Sequence, residues 1–168
     1  PQVAAKNQKF NASAREILSE NVYCDGVRLN QVLINLLGNA VKFTPEKGFV
    51  QITMYQEALP EDTARVRTHF LVSDTGIGIS EEYQKVIFES FSREDNSRVR
   101  KTEGSGLGMA ITKHIVDAMG GTISVCSEQG KGSEFHVVLD LERAEASCHA
   151  VSEPASGADG AEGAGDVV

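Results

Sequence analysis

Asp25-Gly26-Val27-Arg28-Leu29-Asn30-Gln31-Val32-Leu33-Ile34-Asn35-Leu36-Leu37-Gly38-Asn39-Ala40-Val41-Lys42-Phe43-Thr44-Pro45 reads as one long helix with a defined start and stop. Asp25 stands at the N-cap, where its carboxylate can accept one of the first unpaired amides. Pro45, within Thr44-Pro45-Glu46-Lys47-Gly48, cannot continue a helix and ends it. Leu29, Val32, Leu33, Ile34, Leu36, Leu37, Ala40, Val41 and Phe43 make most of the circumference apolar. One polar stripe remains: Gln31, Asn35, Asn39 and Lys42 step by four, four and three, which places them in line. A plain solvent-facing stripe is one reading. Exposed faces, however, usually carry Glu, Lys and Arg, which are better helix formers than Asn. Two amides followed by an ammonium offer neutral oxygens to a hard cation and a positive charge to phosphate.

Either side of this helix the pattern changes period. Phe10, Ala12 and Ala14 alternate with polar residues, as do Val50, Ile52 and Met54 and the residues from His69 to Ser73, so strands are expected there. Residues 1–8 read as the end of a linker and Gln56–Arg65 as a polar loop. Ser80-Glu81-Glu82 reads as a capped helix start, the helix continuing to about Phe88. Residues 92–105 are polar, charged and aperiodic, hence a loop, expected to be mobile; a second amphipathic helix follows from about Gly106 to Met119. Thr122–Ser127 and Glu134–Leu141 form a hairpin whose turn contains Gly130 and Gly132. From residue 144 to 168 small and acidic residues dominate, and a flexible, disordered tail or linker is expected. The folded domain is thus expected over residues 9–143. Strand, helix, strands, helix, hairpin is not the alternation of a doubly wound fold. It implies an α+β two-layer sandwich with helices on one face of a mixed sheet.

Composition narrows the function classes. The chain has 168 residues with a formal net charge of -8. Such an acidic surface repels nucleic acid and anionic membranes, so neither is expected as a partner. No apolar run approaches the roughly 20 residues of a membrane span, and nothing reads as a signal peptide. The three cysteines, Cys24, Cys126 and Cys148, have neither zinc-site nor disulfide spacing, which fits a reducing cytoplasm.

Two glycine-bearing motifs and an aromatic pair complete the candidate site. Asp74-Thr75-Gly76-Ile77-Gly78-Ile79 follows a strand. Its glycines permit tight turning and close approach of a planar ligand. Asp74 can accept a hydrogen bond from an exocyclic amine such as that of adenine, or simply close an Asx-type turn. Gly104-Ser105-Gly106-Leu107-Gly108 opens the second long helix, where backbone N–H groups and the dipole suit an anion. It has neither the dinucleotide-fold glycine spacing nor the Lys-Ser or Lys-Thr of a P-loop. Phe88 and Phe91 bracket Glu89-Ser90, and core packing is the simpler explanation of each alone.

Taken in order, Asn35 to Pro45, Asp74 to Gly78, Phe88 to Phe91 and Gly104 to Gly108 resemble the N, G1, F and G2 boxes of sensor histidine kinases. The resemblance covers residues 8 to 143 with no box missing. It implies the Bergerat ATP-binding fold: a mixed, mostly antiparallel sheet with about three helices on one face, ATP lying beneath a flexible lid. By the same resemblance Asn39 is the Mg2+ ligand and Asn35 contacts metal or phosphate, while Lys42 approaches the phosphates. Asp74 meets the adenine amino group, assisted through water by Ser133. Gly76 and Gly78 admit the purine, and Ile79, Phe88 and Phe91 shape pocket and lid hinge. Arg93 reaches the terminal phosphates, and Gly104, Ser105, Gly106, Leu107 and Gly108 lie under them. Arg98, Arg100 and Lys101 rank lower, since a charge run in a loop is usually just solvated. Asn35, Lys42 and Arg93 are the implied catalytic set.

The resemblance also implies a division of labour. Related ATPases of the gyrase B, MutL and heat-shock type place a general-base Glu where Asn35 stands. An amide cannot take a proton at neutral pH, so phosphotransfer is favoured over hydrolysis. His69, His114, His136 and His149 lack the acidic residue and proline that follow a phosphoacceptor histidine. The acceptor is therefore expected on a separate dimerisation domain, with a response-regulator receiver domain downstream. A hybrid-kinase linker and an ordinary terminal tail both remain open for residues 144–168. A nucleotide-binding module without turnover, and a serine kinase or ATPase of the same superfamily, are the alternatives.

Overall fold

The computed structural model describes residues 2–89 and 107–144. Its elements run α1 (Gln2–Ala5), β1 (Lys9–Arg15), β2 (Val22–Tyr23), α2 (Gly26–Phe43), β3 (Phe49–Ala58), β4 (Arg65–Asp74) and α3 (Glu81–Gln84). After the second described stretch begins come α4 (Gly108–Ala118), β5 (Thr122–Glu128) and β6 (Gly132–Arg143). The strands form one sheet in the order β1-β3-β4-β6-β2, with β5 also on β6. Among the described residues only the β1–β3 pair is parallel; the other pairs are antiparallel. A parallel neighbour requires a crossover between the two strands, and α2 lies within it. This is the expected α+β sandwich.

Pleating assigns the two faces. Val66, Phe70 and Val72 of β4 and Phe135, Val137, Leu139 and Leu141 of β6 are buried on the helix side. All of these but Val66 meet Val32, Leu36, Ala40 and Val41 of α2 and Met109, Ile115 and Val116 of α4 in one core. The opposite face is a polar and aromatic ladder. Tyr55 stacks on His69 at 4.3 Å between ring centroids, and His69 on His136 at 5.1 Å. Arg67 grips Asp140 with Nε and Nη2 at 2.7 and 2.8 Å.

Helix α2 begins as expected: Asp25 accepts from the Arg28 N–H at 3.0 Å. Three local expectations change, and one short strand is added. The helix begun at Ser80 ends at Gln84, and i,i+3 turns from Val86 and Glu89 replace its continuation to Phe88 while Ile87 reaches the core. The polar loop shrinks because β3 extends to Ala58, with Gln56 buried and its Oε1 accepting from Leu18 and Ser19 N–H at 2.8 Å each. Strand β2 pairs only Val22 and Tyr23 with Arg143 and Glu142, too short to carry a period. The segment expected as a linker end holds α1, and its Lys6 and Gln8 bond to the end of α2. The expected loop 92–105 lies outside the described residues, as does the expected tail 144–168 apart from Ala144, whose N–H donates to the Asn21 carbonyl at 2.9 Å.

Candidate functional site

Asp74 is the last residue of β4, at the end of a strand whose neighbours are β3 and β6. Its Oδ1 accepts the Gly76 N–H at 2.7 Å, closing an Asx turn. Burial raises its pKa from an ordinary 3.8 to about 6, against the opposing pull of backbone N–H groups of Gly76 and Ser133. A carboxylate kept partly desolvated, at a cost, in a strand-end turn is a common mark of a functional position.

The backbone around it explains the two glycines. A Cβ on Gly76 would lie 2.6 Å from Asp74 Oδ1 and 2.7 Å from the Phe43 carbonyl oxygen. Gly78 has φ +68°, and a Cβ there would collide with the backbone of Glu128. The turn is therefore squeezed between the end of α2 and the β5–β6 hairpin. Ile77 N–H donates to the Phe43 carbonyl at 3.3 Å and Gly130 N–H to the Ile77 carbonyl at 2.7 Å. Thus the strand-end carboxylate and the last turn of the asparagine helix form one contiguous structure.

On α2, Asn35, Asn39 and Lys42 are half-buried, whereas Gln31 is exposed. The Asn35 amide donates to Thr112 Oγ1 of α4 at 3.2 Å, and Thr112 is fully buried. That bond fixes the Asn35 rotamer. The Asn39 amide makes no hydrogen bond to another described residue and keeps its oxygen available. Lys42 Nζ lies 5.2 Å from the centre of the Phe43 ring. Leu107 and Gly108 stand at the start of α4. Ile79 and Phe88 pack against the core, and the aromatic ring of Phe88 is explained by that packing. Phe91, Arg93, Gly104, Ser105 and Gly106 lie outside the described residues, as do Arg98, Arg100 and Lys101.

Three residues of the site carry no signal of their own in the sequence: Thr112, Ser127 and Gln84. Ser127 Oγ accepts the Ile79 N–H at 2.8 Å and donates to the Gly132 carbonyl at 2.8 Å. Its proton being committed, the 3.0 Å contact with Ser133 Oγ has Ser133 as donor. Gln84 Nε2 donates to the carbonyls of Ile79 and Ser127 at 2.8 and 2.9 Å. Each is a short polar side chain whose partner lies on a different element, and periodicity says nothing about such pairs.

Among the described residues no cluster of three or more His, Cys, Asp or Glu could hold a metal. An all-protein cage is thus missing from these residues. The available amide oxygen of Asn39, beside a lysine, suits a divalent ion that keeps its waters and takes its other oxygens from phosphates. Among the described residues no helix is long and apolar enough to cross a membrane.

A family model described as histidine kinase-, DNA gyrase B- and HSP90-like ATPase matches residues 24–143. The chain is 44% identical over 117 residues to the sensor histidine kinase GacS of Pseudomonas protegens, covering 70% of this chain and 12% of that protein. It is 39% identical over 138 residues to the signal transduction histidine-protein kinase BarA of Escherichia coli K12, covering 81% and 15% respectively. The chain thus spans only a small part of these relatives. Among solved structures it resembles full-length ShkA in complex with AMPPNP, at TM-score 0.70 and 36% identity, covering 87% of this chain and 28% of that one. The mycobacterial sensor histidine kinase MprB superposes at TM-score 0.66 and 26% identity, covering 84% of this chain and 88% of that one.

Proposed function

Since this chain belongs to the histidine kinase-, DNA gyrase B- and HSP90-like ATPases, matched over residues 24–143, we propose that it binds magnesium-ATP and donates the γ-phosphoryl group to a histidine of a separate dimerisation and phosphoacceptor domain. The observation that carries this reading is the junction of Asp74 with α2. A half-buried carboxylate, a glycine turn too tight for any side chain and the asparagine stripe are fastened together through Phe43.

Each side chain then has one task. The Asp74 carboxylate accepts from the adenine amino group, and the bare backbone of Gly76 and Gly78 leaves room for the ring. Ser133, its hydroxyl proton pointing to Ser127, offers lone pairs toward that edge. Asn39 presents its amide oxygen to magnesium, and Asn35 stands one turn earlier with its amide held by Thr112. Bound magnesium neutralises phosphate charge. Lys42 adds a positive charge on the same helix, and Arg93 supplies another at the terminal phosphates. Gly104, Ser105, Gly106, Leu107 and Gly108 are assigned to backbone contacts with the phosphates. Because Asn35 cannot accept a proton from water, the chain holds ATP until a histidine nucleophile arrives, and catalysis rests on positioning and charge. We infer the folded domain to span residues 9–143, working inside the cytoplasm, with the histidine domain and a downstream receiver domain as its partners.

The test is calorimetric titration of AMPPNP, with and without magnesium, into the wild type and Asn39→Ala. Binding strengthened by magnesium in the wild type, with that strengthening lost in the variant, is expected. Adding the parent kinase's histidine domain and ATP should then yield an acid-labile phosphoprotein. Absence of nucleotide binding, or an acid-stable phosphoserine product, would overturn the reading.

A further inference from the structure

The end of α2 is held from outside the helix by two side chains of the N-terminal segment. Lys6 Nζ donates to the carbonyls of Val41, Lys42 and Thr44 at 3.0, 2.8 and 3.2 Å. Three acceptors match the three protons of an ammonium, and a cation at a helix C-terminus is favoured by the dipole. Gln8 Nε2 donates to the carbonyls of Val41, Thr44 and Pro45 at 3.0, 2.7 and 3.4 Å, and Gln8 is buried. Backbone bonds extend the clasp: Lys47 N–H donates to the Lys6 carbonyl and Lys9 N–H to the Gly48 carbonyl, at 3.1 and 2.9 Å.

The grasped carbonyls lie on both sides of Phe43. The Phe43 carbonyl itself accepts from Ile77 and bounds the space that Gly76 must leave empty. On the far side of the same turn, Phe49 N–H donates to Thr75 Oγ1 at 2.9 Å, and Thr75 N–H returns to the Phe49 carbonyl at 3.0 Å. A displacement of residues 6–8 therefore moves the Phe43 peptide, and the turn below Asp74 moves with it.

We propose that Lys6 and Gln8 are positioning residues of the nucleotide site, coupling the segment that leads into β1 to the backbone that receives the adenine ring. The proposal rests on the reading of Asp74 as the adenine acceptor. It gives the segment before β1 a role beyond tethering: its seating on α2 sets how well the base is held. Lys42 shares the clamped turn, so the phosphate end responds to the same displacement.

Lys6→Met and Gln8→Leu remove the donors and keep the bulk, Lys6→Arg restores a cation, and Lys9→Met removes a neighbouring exposed side-chain charge that takes no part while keeping the Lys9 backbone bond to Gly48. In the full chain, adenosine and AMPPNP affinities are measured calorimetrically at a temperature where denaturation curves show every variant folded. Amide exchange at Gly76 and Ile77 is measured without ligand. Lys6→Met should weaken both ligands by about tenfold, within the range usual for coupled sites, and accelerate Ile77 exchange by a similar factor. Lys6→Arg should recover most of the loss, and Lys9→Met should match the wild type. Lowered melting temperature with unchanged affinity and unchanged Ile77 exchange would reduce the clamp to a structural staple and overturn the proposal. If Gln8→Leu does not fold, Lys6→Met decides alone. If the wild type binds neither ligand, the nucleotide reading fails on its own account, and unaltered Ile77 exchange in Lys6→Met would separately refute the coupling.

Discussion

Asp74→Asn should make the protein more stable and a poorer binder of nucleotide. The carboxyl pKa rises from 3.8 to about 6 on folding, mainly through burial. A raised folded value means that the folded state holds the proton more tightly than the unfolded chain. The stabilising contribution of the neutral side chain is complete below pH 3.8 and is lost as pH rises through about 6. Above that, the wild type carries an ionised, desolvated carboxylate costing roughly 3 kcal/mol, at 1.36 kcal/mol per pH unit. An amide mimics the neutral acid and escapes most of this. We therefore expect Asp74→Asn to gain about 2–3 kcal/mol at pH 7.5, the gain shrinking below pH 6 and vanishing near pH 4.

Affinity should move the other way. A hydrogen bond to a charged acceptor contributes about 1.5–3 kcal/mol, so losing the charge should weaken AMPPNP binding by roughly 10- to 100-fold at pH 7.5. Wild-type affinity should also fall below pH 6 as Asp74 protonates, while that of the variant should stay flat. Urea denaturation followed by circular dichroism at pH 4, 5.5 and 7.5, paired with calorimetry, measures both arms. A variant less stable than the wild type at pH 7.5 would show that the carboxylate is not penalised by burial. Undiminished binding would remove Asp74 from the site.

Three further outcomes are expected. Ser127→Ala strips the acceptor from the Ile79 N–H and the donor from the Gly132 carbonyl, and should cost about 1–3 kcal/mol in urea denaturation together with a severalfold loss of adenosine affinity. Thr112→Val keeps the volume of a fully buried residue but removes the oxygen that holds Asn35; it should lower stability by about 1 kcal/mol and weaken AMPPNP binding more with magnesium than without it, as competition calorimetry would show. His69 has its pKa lowered by burial and the neighbouring His136, with Glu57 opposing, so its contribution to stability is present above pH 6.5 and lost as pH falls. His69→Gln should accordingly flatten the stability profile below pH 6.5, and an unchanged slope there would count against this origin.

The opposite signs of Asp74 and His69 matter for reading such profiles. As pH falls from 6.5, one group gives stability back and the other withdraws it. The wild-type curve can look level while both effects are present. Only the single variants separate them.

What the sequence disclosed follows from where the information sits. Helix α2 was legible because its cap, its apolar face and its stop at Pro45 are consecutive. The hairpin was legible because Gly130 and Gly132 mark a turn between two alternating runs. Gly76 and Gly78 were legible because a backbone that admits no Cβ must be written in glycine, and Asp74 because it precedes them at a strand end. The two-residue β2 was not, since its partners Glu142 and Arg143 alone define it as a strand. Nor were Thr112, Ser127, Lys6 and Gln8, whose bonds reach 77, 48, 36 and 36 residues along the chain. Motif residues thus mark where a ligand would touch backbone or metal, and side chains of ordinary appearance decide whether those atoms hold still. In this fold the second group acts at two places: the N-terminal segment and the β5–β6 hairpin hold the end of α2 and the turn after Asp74, and α4 holds Asn35. Loosening any one of them should therefore tell on nucleotide affinity as well as on stability, because the same bonds that hold the site's backbone and Asn35 reach into elements of the core.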